Sequence, residues 1–340
     1  MTHTAAGTPH HQPAGHPPEA DGGWLRPAAD APAEPRWGFV DGLQVGLHPL
    51  RGPRGLLRVY APYLGHPRER LLNFVAVEPI PLGSTERGFS ELEHSALDDA
   101  PGKRFWSADG PDDATPRDPL EPARGVVEEI DGVEHLTVYV HSERFENGAD
   151  VVVRLRFRAD RPREMSLAAS VRESSVPLAS CVLTATMGNF ARLRRLHLRD
   201  RTVTPSDLWP GFTGTHFADH GVFGRTELAE HDGAVAVWAT PDEDAPQDAV
   251  AAEGTADHWR YVGEKAVQGW RVPEPSDELT VLVNGRWAYW ASDRPIPGGV
   301  SYENVEVVEP FRDGHELVFW VEPFQADDEV AAVAARHRAR

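Results

Sequence analysis

Apolar residues recur at every second position along much of this chain, in short runs broken by Gly, Pro, Asn and Asp. The plainest case is Leu136 to Arg158, which reads LTVYVHSERF, then ENGAD, then VVVRLRFR. A period of two predicts strands. An Asn-Gly pair between two such runs predicts a two-residue hairpin turn. With Asn147-Gly148 at that turn, Val140 faces Leu155 and Val138 faces Phe157 on an apolar side. His141 then meets Arg154, Tyr139 meets Arg156 and Thr137 meets Arg158 on a polar side.

The same pattern predicts strands over Leu43–Leu47, Leu56–Tyr60, Asn73–Val77, Met165–Val171, Leu178–Thr186, Val235–Ala239, Trp259–Tyr261, Gly269–Val272, Ser301–Val308 and Glu316–Pro323. Phe190–Leu198 alternates imperfectly and fits a strand or a helix. Leu279–Trp290 contains a second Asn-Gly pair, so Asn284-Gly285 is expected to turn another hairpin. Ser90 followed by Glu93 resembles a capping box and predicts a short helix or turn. Pro101 to Glu121 reads as a surface loop. Residues 1–35 are rich in Pro, Gly, Ala and His and are expected to be disordered. Residues 324–340 read as a tail that forms a terminal helix or frays. Between them, 36–323 reads as one large domain or two packed β subdomains. There is no fixed repeat and no alternation of strands with long helices. The expected fold is all-β, an antiparallel β-sandwich or jelly roll.

Composition changes this picture at one place. The chain has 340 residues, 40% hydrophobic, enough for a large core, and a formal charge of -19. That charge argues against nucleic acid and anionic membranes as general partners. From Val151 to Arg201, however, 11 Arg stand against 4 acids (Asp160, Glu164, Glu173, Asp200), a local surplus of seven positive charges. Guanidinium groups match carboxylate, sulfate or phosphate bidentately, so an anion site or an internal salt-bridge network is expected there. Cys181 is the only cysteine, sits in an apolar run, and reads as a buried small side chain. No apolar run is long enough to span a membrane, and the N-terminus lacks a signal-type apolar stretch. Cytoplasmic location is the default expectation.

P-loop, GxGxxG, CxxC, HExxH and GxSxG motifs are absent. Four constellations remain. The first is Tyr139, His141, Arg154 and Arg156. Here Arg would neutralise a carboxylate, His141 would take the adjacent proton as base, and Tyr139 would return one as acid. That is β-elimination on a uronate-containing glycan. Arg158, Arg192 and Arg194 would extend the same basic surface to the substrate. The second is GFSELEHS, where Glu91, Glu93 and His94 offer paired carboxylates or a plain cap. The third is aromatic: Trp287, Tyr289 and Trp290, with Trp259 and Trp270, either stack on sugar rings or fill the core. The fourth is SYEN, with Tyr302 and Glu303 facing a ligand or serving the fold. No cofactor is implied, and acidic loops at Asp109–Asp113 and Asp242–Asp244 are the places where a divalent cation would be sought.

Arg225-Thr226-Glu227-Leu228 resembles the Arg-Thr/Ser-Glu-Leu strand motif of jelly-roll polysaccharide lyases of the alginate-lyase type. Their Gln-x-His strand has no counterpart here, since Tyr139 stands two before His141. The resemblance implies a sandwich fold, a uronate-bearing oligo- or polysaccharide as substrate, and Arg225 as a substrate-binding residue. The expected activity is therefore a carbohydrate-active lyase. The alternatives are a glycoside hydrolase or sugar epimerase using Glu91, Glu93 or Glu303, and a carbohydrate-binding sandwich without catalysis.

Overall fold

The computed structural model describes residues 19–28, 34–47, 54–65, 71–118, 121–186, 193–241, 249–250, 260–261, 264–289 and 292–324. In chain order these form β1 (Glu19–Asp21), β2 (Trp24–Arg26), β3 (Arg36–Phe39), β4 (Gln44–Gly46), β5 (Leu56–Tyr60), β6 (Leu71–Pro81), β7 (Phe105–Ala108), β8 (Val126–Ile130), β9 (Val133–Ser142), β10 (Val151–Arg158), β11 (Arg161–Val171) and β12 (Leu178–Thr186). There follow β13 (Leu193–His197), β14 (Thr202–Val203), the single short helix α1 (Pro205–Leu208), β15 (Gly221–Gly224), β16 (Ala229–His231), β17 (Ala234–Pro241), β18 (Ala249–Val250), β19 (Arg260–Tyr261), β20 (Ala266–Val272), β21 (Thr280–Arg286), β22 (Ser301–Val308) and β23 (Glu316–Pro323).

Two large antiparallel sheets pack as a β-sandwich. The first has ten strands in the order β1-β2-β3-β4-β5-β6-β12-β22-β21-β15. The second has eleven, with the path β14-β13-β17-β20-β23-β11-β10-β9-β7 and with β16 and β8 attached beside it. One apolar cluster runs between the sheets from Trp24 to Val321. It takes Val75 and Val77 from β6, Leu136, Val138 and Val140 from β9, and Val153, Leu155 and Phe157 from β10. Each large side chain fully buried this way contributes about 1.5–3 kcal/mol relative to exposure. No helix among the described residues is long and apolar enough to cross a membrane.

The first hairpin keeps its two faces but not its expected register. His141 lies opposite Val152, Tyr139 opposite Arg154, and Thr137 opposite Arg156. A type I′ turn needs positive φ at both central residues. Gly148 has it (87°), but Asn147 does not. Asn147 instead donates through Nδ2 to Pro79 O (2.9 Å) and Glu86 O (3.2 Å). The chain closes with Gly148 N on Phe145 O and Phe145 N on Ala149 O, so the loop holds three residues in place of two. A further extra residue lies between His141 and Phe145, where three residues face the two between Ala149 and Val152. Each insertion alone would exchange the faces. Together they shift the pairing by two and restore them.

The second Asn-Gly pair does not turn at all. Asn284-Gly285 lies inside β21, where a bulge sets Val283 opposite Val305 and Gly285 opposite Tyr302. Order also begins before Arg36: β1 and β2 pair, and Trp24 and Leu25 are buried. The expected loop at 101–121 contains β7, with Trp106 and Ala108 buried. Leu193–His197 is a strand, and Ser90 to Glu93 is a turn with no helix. The C-terminal tail lies outside the described residues, apart from Phe324.

Candidate functional site

The outer face of the second sheet carries the polar side of the first hairpin. His141 does not stand open on it: the residue is fully buried. Its ring stacks on Trp106 at 5.9 Å and 13°, its Nε2 meets Gly110 O at 3.3 Å, and its Nδ1 meets Arg172 Nη1 at 3.3 Å. Arg172 can only donate, so Nδ1 accepts and Nε2 carries the hydrogen. Burial, aided by the Arg172 charge, holds the imidazole below its usual pKa and keeps it neutral, while Gly110 O pulls the other way. Tyr139 is half-buried beside Arg154. The four residues of the expected constellation share a face, but both ring nitrogens of the buried His141 are engaged by Gly110 and Arg172 and by none of the other three.

The guanidinium groups are paired. Glu316 Oε1 on β23 accepts from Arg154 Nη2 at 2.6 Å and from Arg156 Nη1 at 3.4 Å. Arg158 bonds Asp160 twice, at 3.0 and 2.9 Å. Glu164 Oε2 binds Arg271 Nη2 at 2.6 Å and lies 3.6 Å from Arg161 Nη1. Desolvation lowers the Arg271 pKa, and the charges of Arg161 and Arg158 add to it against Glu164; the charges of Glu164 and Glu316 both act on Arg158, which links the three ion-pair groups electrostatically. Between the Arg154 and Arg156 row and the Glu316 row runs β11 with small side chains, Ser166 and Ala168, directly between them.

Other expected site residues are dispersed. Arg192 and Trp290 lie outside the described residues. Arg194 is buried against the Pro297 and Gly298 carbonyls on another part of the second sheet. Arg225-Thr226-Glu227 forms a 3-10 turn, not a strand, and Arg225 pairs with Asp277 at 2.6 Å and Glu230 at 3.3 Å. Tyr302 is fully buried in the core and donates to Val203 O. Tyr289 packs with Ile296, and Trp287 is half-buried near it in sequence. Glu303 lies 3.7 Å from Arg286. Glu93 accepts from the Phe89 and Glu146 backbones and pairs with Lys103 at 3.0 Å, while Ser90 Oγ accepts from Val77 N and donates to Gly55 O, so the expected Ser90–Glu93 capping box does not form. Of the acidic loops, Asp109 accepts from Gly125 N and Asp113 pairs with Arg117, while Asp242–Asp244 falls outside the described residues. Among the described residues no three His, Cys, Asp or Glu side chains are grouped to hold a metal.

One cluster went unanticipated. On the outer face of the first sheet, Arg87 Nη2 reaches Glu78 Oε2 of β6, Thr184 Oγ1 of β12 at 3.0 Å, and Glu306 Oε2 of β22 at 2.9 Å. Both carboxylates are buried. Burial drives Glu78 up to about 8 despite the Arg87 charge beside it. Burial pushes Glu306 the same way, but a hydrogen bond from His220 and the charge of Arg87 outweigh it and hold the group below its usual range. Oppositely displaced carboxylates are a pattern of acid–base sites, and also of buried ion networks. The signal in the sequence was one acid in an otherwise apolar run: Glu78 in NFVAVEPIP and Glu306 in NVEVV.

No family model matches the chain, and no curated protein is similar to it.

Proposed function

We propose that the protein binds an anionic glycan on the outer face of its second sheet, along the row of Arg154, Arg156 and Arg158. The supporting observation is the balance of charge in the linked cluster. Five guanidinium groups (Arg154, Arg156, Arg158, Arg161, Arg271) stand against three carboxylates (Glu316, Asp160, Glu164), on a chain whose formal charge is -19. Screening at physiological salt acts over about 8 Å, so a short ligand responds to this local surplus more than to the whole chain. The sandwich architecture, shared with carbohydrate-active proteins, supports the glycan half of the proposal by analogy only. Binding without chemistry is favoured over elimination because His141, the expected base, is buried with both ring nitrogens engaged.

Tyr139, set across from Arg154, favours a second reading, a lyase eliminating across a uronate on the same face. One titration separates the two. Oligogalacturonates and neutral malto-oligosaccharides are added at low and moderate salt, with ultraviolet absorbance and reducing ends followed together. Binding of the charged series alone, weakened by salt and by about tenfold or more in Arg154→Ala, is the expected result. Unsaturated product would install the lyase in its place, and reducing ends without absorbance a hydrolase. Equal affinity for charged and neutral sugars, or none for either, would overturn the proposal.

A further inference from the structure

The outer face of the second sheet contains one arrangement twice: a single Glu oxygen gripping two Arg. Glu316 holds Arg154 and Arg156, and Glu164 holds Arg271 and Arg161. The two copies differ in depth. Glu164 and Arg271 keep 11% and 9% of their side-chain surface in solvent, whereas Glu316 and Arg154 keep 33% and 24%. The deep copy is a structural tie, since breaking a buried pair strands a charge. The shallow copy is open to exchange: its ions are wet, and a wet ion pair is worth little.

The shallow copy also has the right shape for replacement. Glu316 and Arg154 flank Ala168, which contributes only a methyl group to the floor between them. Arg154, Arg156 and Arg158 recur at alternate positions of β10, about 6.6 Å apart along the strand. Arg156 also donates from Nε to Thr137 Oγ1 at 3.4 Å, which orients its fork along the face.

We infer that Glu316 is a tethered stand-in for a ligand carboxylate, and that it makes the face selective for oligouronides over single uronic acids. This rests on the glycan-binding reading given above. A carboxylate attached to β23, one strand beyond the adjacent β11, competes at an effective concentration of millimolar or more. A monouronate offers one carboxylate against that competitor and stays unbound at lower concentrations. An oligouronide offers several on one chain, reaches Arg154, Arg156 and Arg158 together, and through multivalency displaces Glu316 from the first two and Asp160 from the third. Removing the tethered carboxylate leaves both guanidinium groups free for a single ligand carboxylate.

The test measures trigalacturonate and monogalacturonate affinities by calorimetry for the wild type, Glu316→Gln, Glu316→Asp and Glu164→Gln. Circular dichroism checks each fold. Wild type is expected to bind the trimer and not the monomer. Glu316→Gln should bind the trimer about tenfold tighter and bring the monomer into range. Glu316→Asp, which keeps the charge on a shorter arm, should fall between, and it serves if the Gln variant does not fold. Glu164→Gln, which strands the buried Arg271 charge, should lose stability where the Glu316 variants do not. Should the wild type bind the trimer while both Glu316 variants leave trimer affinity unchanged and the monomer unbound, the stand-in role is overturned and glycan binding survives. Absence of binding in the wild type and in both Glu316 variants overturns glycan binding itself.

Discussion

Asn73 of the first sheet donates from Nδ2 to Gln268 Oε1 of the second at 2.7 Å, both residues fully buried between the sheets. A polar pair in this core is stable only as a pair. Truncating one partner leaves the other's oxygen or N–H in an apolar setting. Asn73→Ala is therefore expected to cost about 1–3 kcal/mol, read from the midpoint of urea unfolding. The double variant Asn73→Leu with Gln268→Leu should recover part of that loss, and a double-mutant cycle showing strict additivity would refute the coupling.

Glu78 sets an alkaline slope on stability. Its folded pKa of about 8 lies above the ordinary 4.5, so the folded state holds a proton that the unfolded chain has released. Its contribution is complete below about 4.5 and is lost as pH rises through about 8. Unfolding free energy should thus fall across that window and level off above it. Glu78→Gln mimics the protonated form and should flatten the slope. An unchanged slope in this variant would assign it to another group.

Gly148 carries the turn of the first hairpin at φ 87°, and a Cβ there would sit 3.2 Å from Val176 Cγ1. Gly148→Ala should cost about 1–2 kcal/mol from the left-handed conformation alone. Thermal denaturation reads this loss. Glycan affinity should not move, since the Arg row lies along the strand, away from the turn.

His141 is expected to behave as a structural residue. His141→Ala removes a buried ring stacked on Trp106 and strips Arg172 of an acceptor. A loss of about 1–3 kcal/mol in stability should follow, with oligogalacturonate affinity unchanged at a temperature where the variant is folded. A large change in affinity with stability intact would return His141 to the binding face.

Much of the architecture was legible because alternation is a local signal. Leu56–Tyr60, Leu178–Thr186, Ser301–Val308 and Glu316–Pro323 have the bounds that the pattern predicts. Turn chemistry was less dependable. Asn147 spends its amide on a neighbouring segment, and Asn284-Gly285 sits mid-strand, both decided by tertiary packing. The site was legible only in its residue types. Arg154 meets its carboxylate 162 positions away, and Arg87 meets Glu306 219 positions away, spacings that no local periodicity encodes. The burial of His141 depends on Trp106 and Gly110 from the preceding loop and strand, which read as an open surface loop.

The paired insertions in the first hairpin give this segment a parity rule. Removing one residue from the loop would set the two strands' faces against each other: with β9 held in place, Leu155 would turn toward water and Arg154 and Arg156 would press into the oily interior. Removing two would leave the protein's inside and outside where they are. Length variants of this loop should therefore survive in steps of two and fail in steps of one.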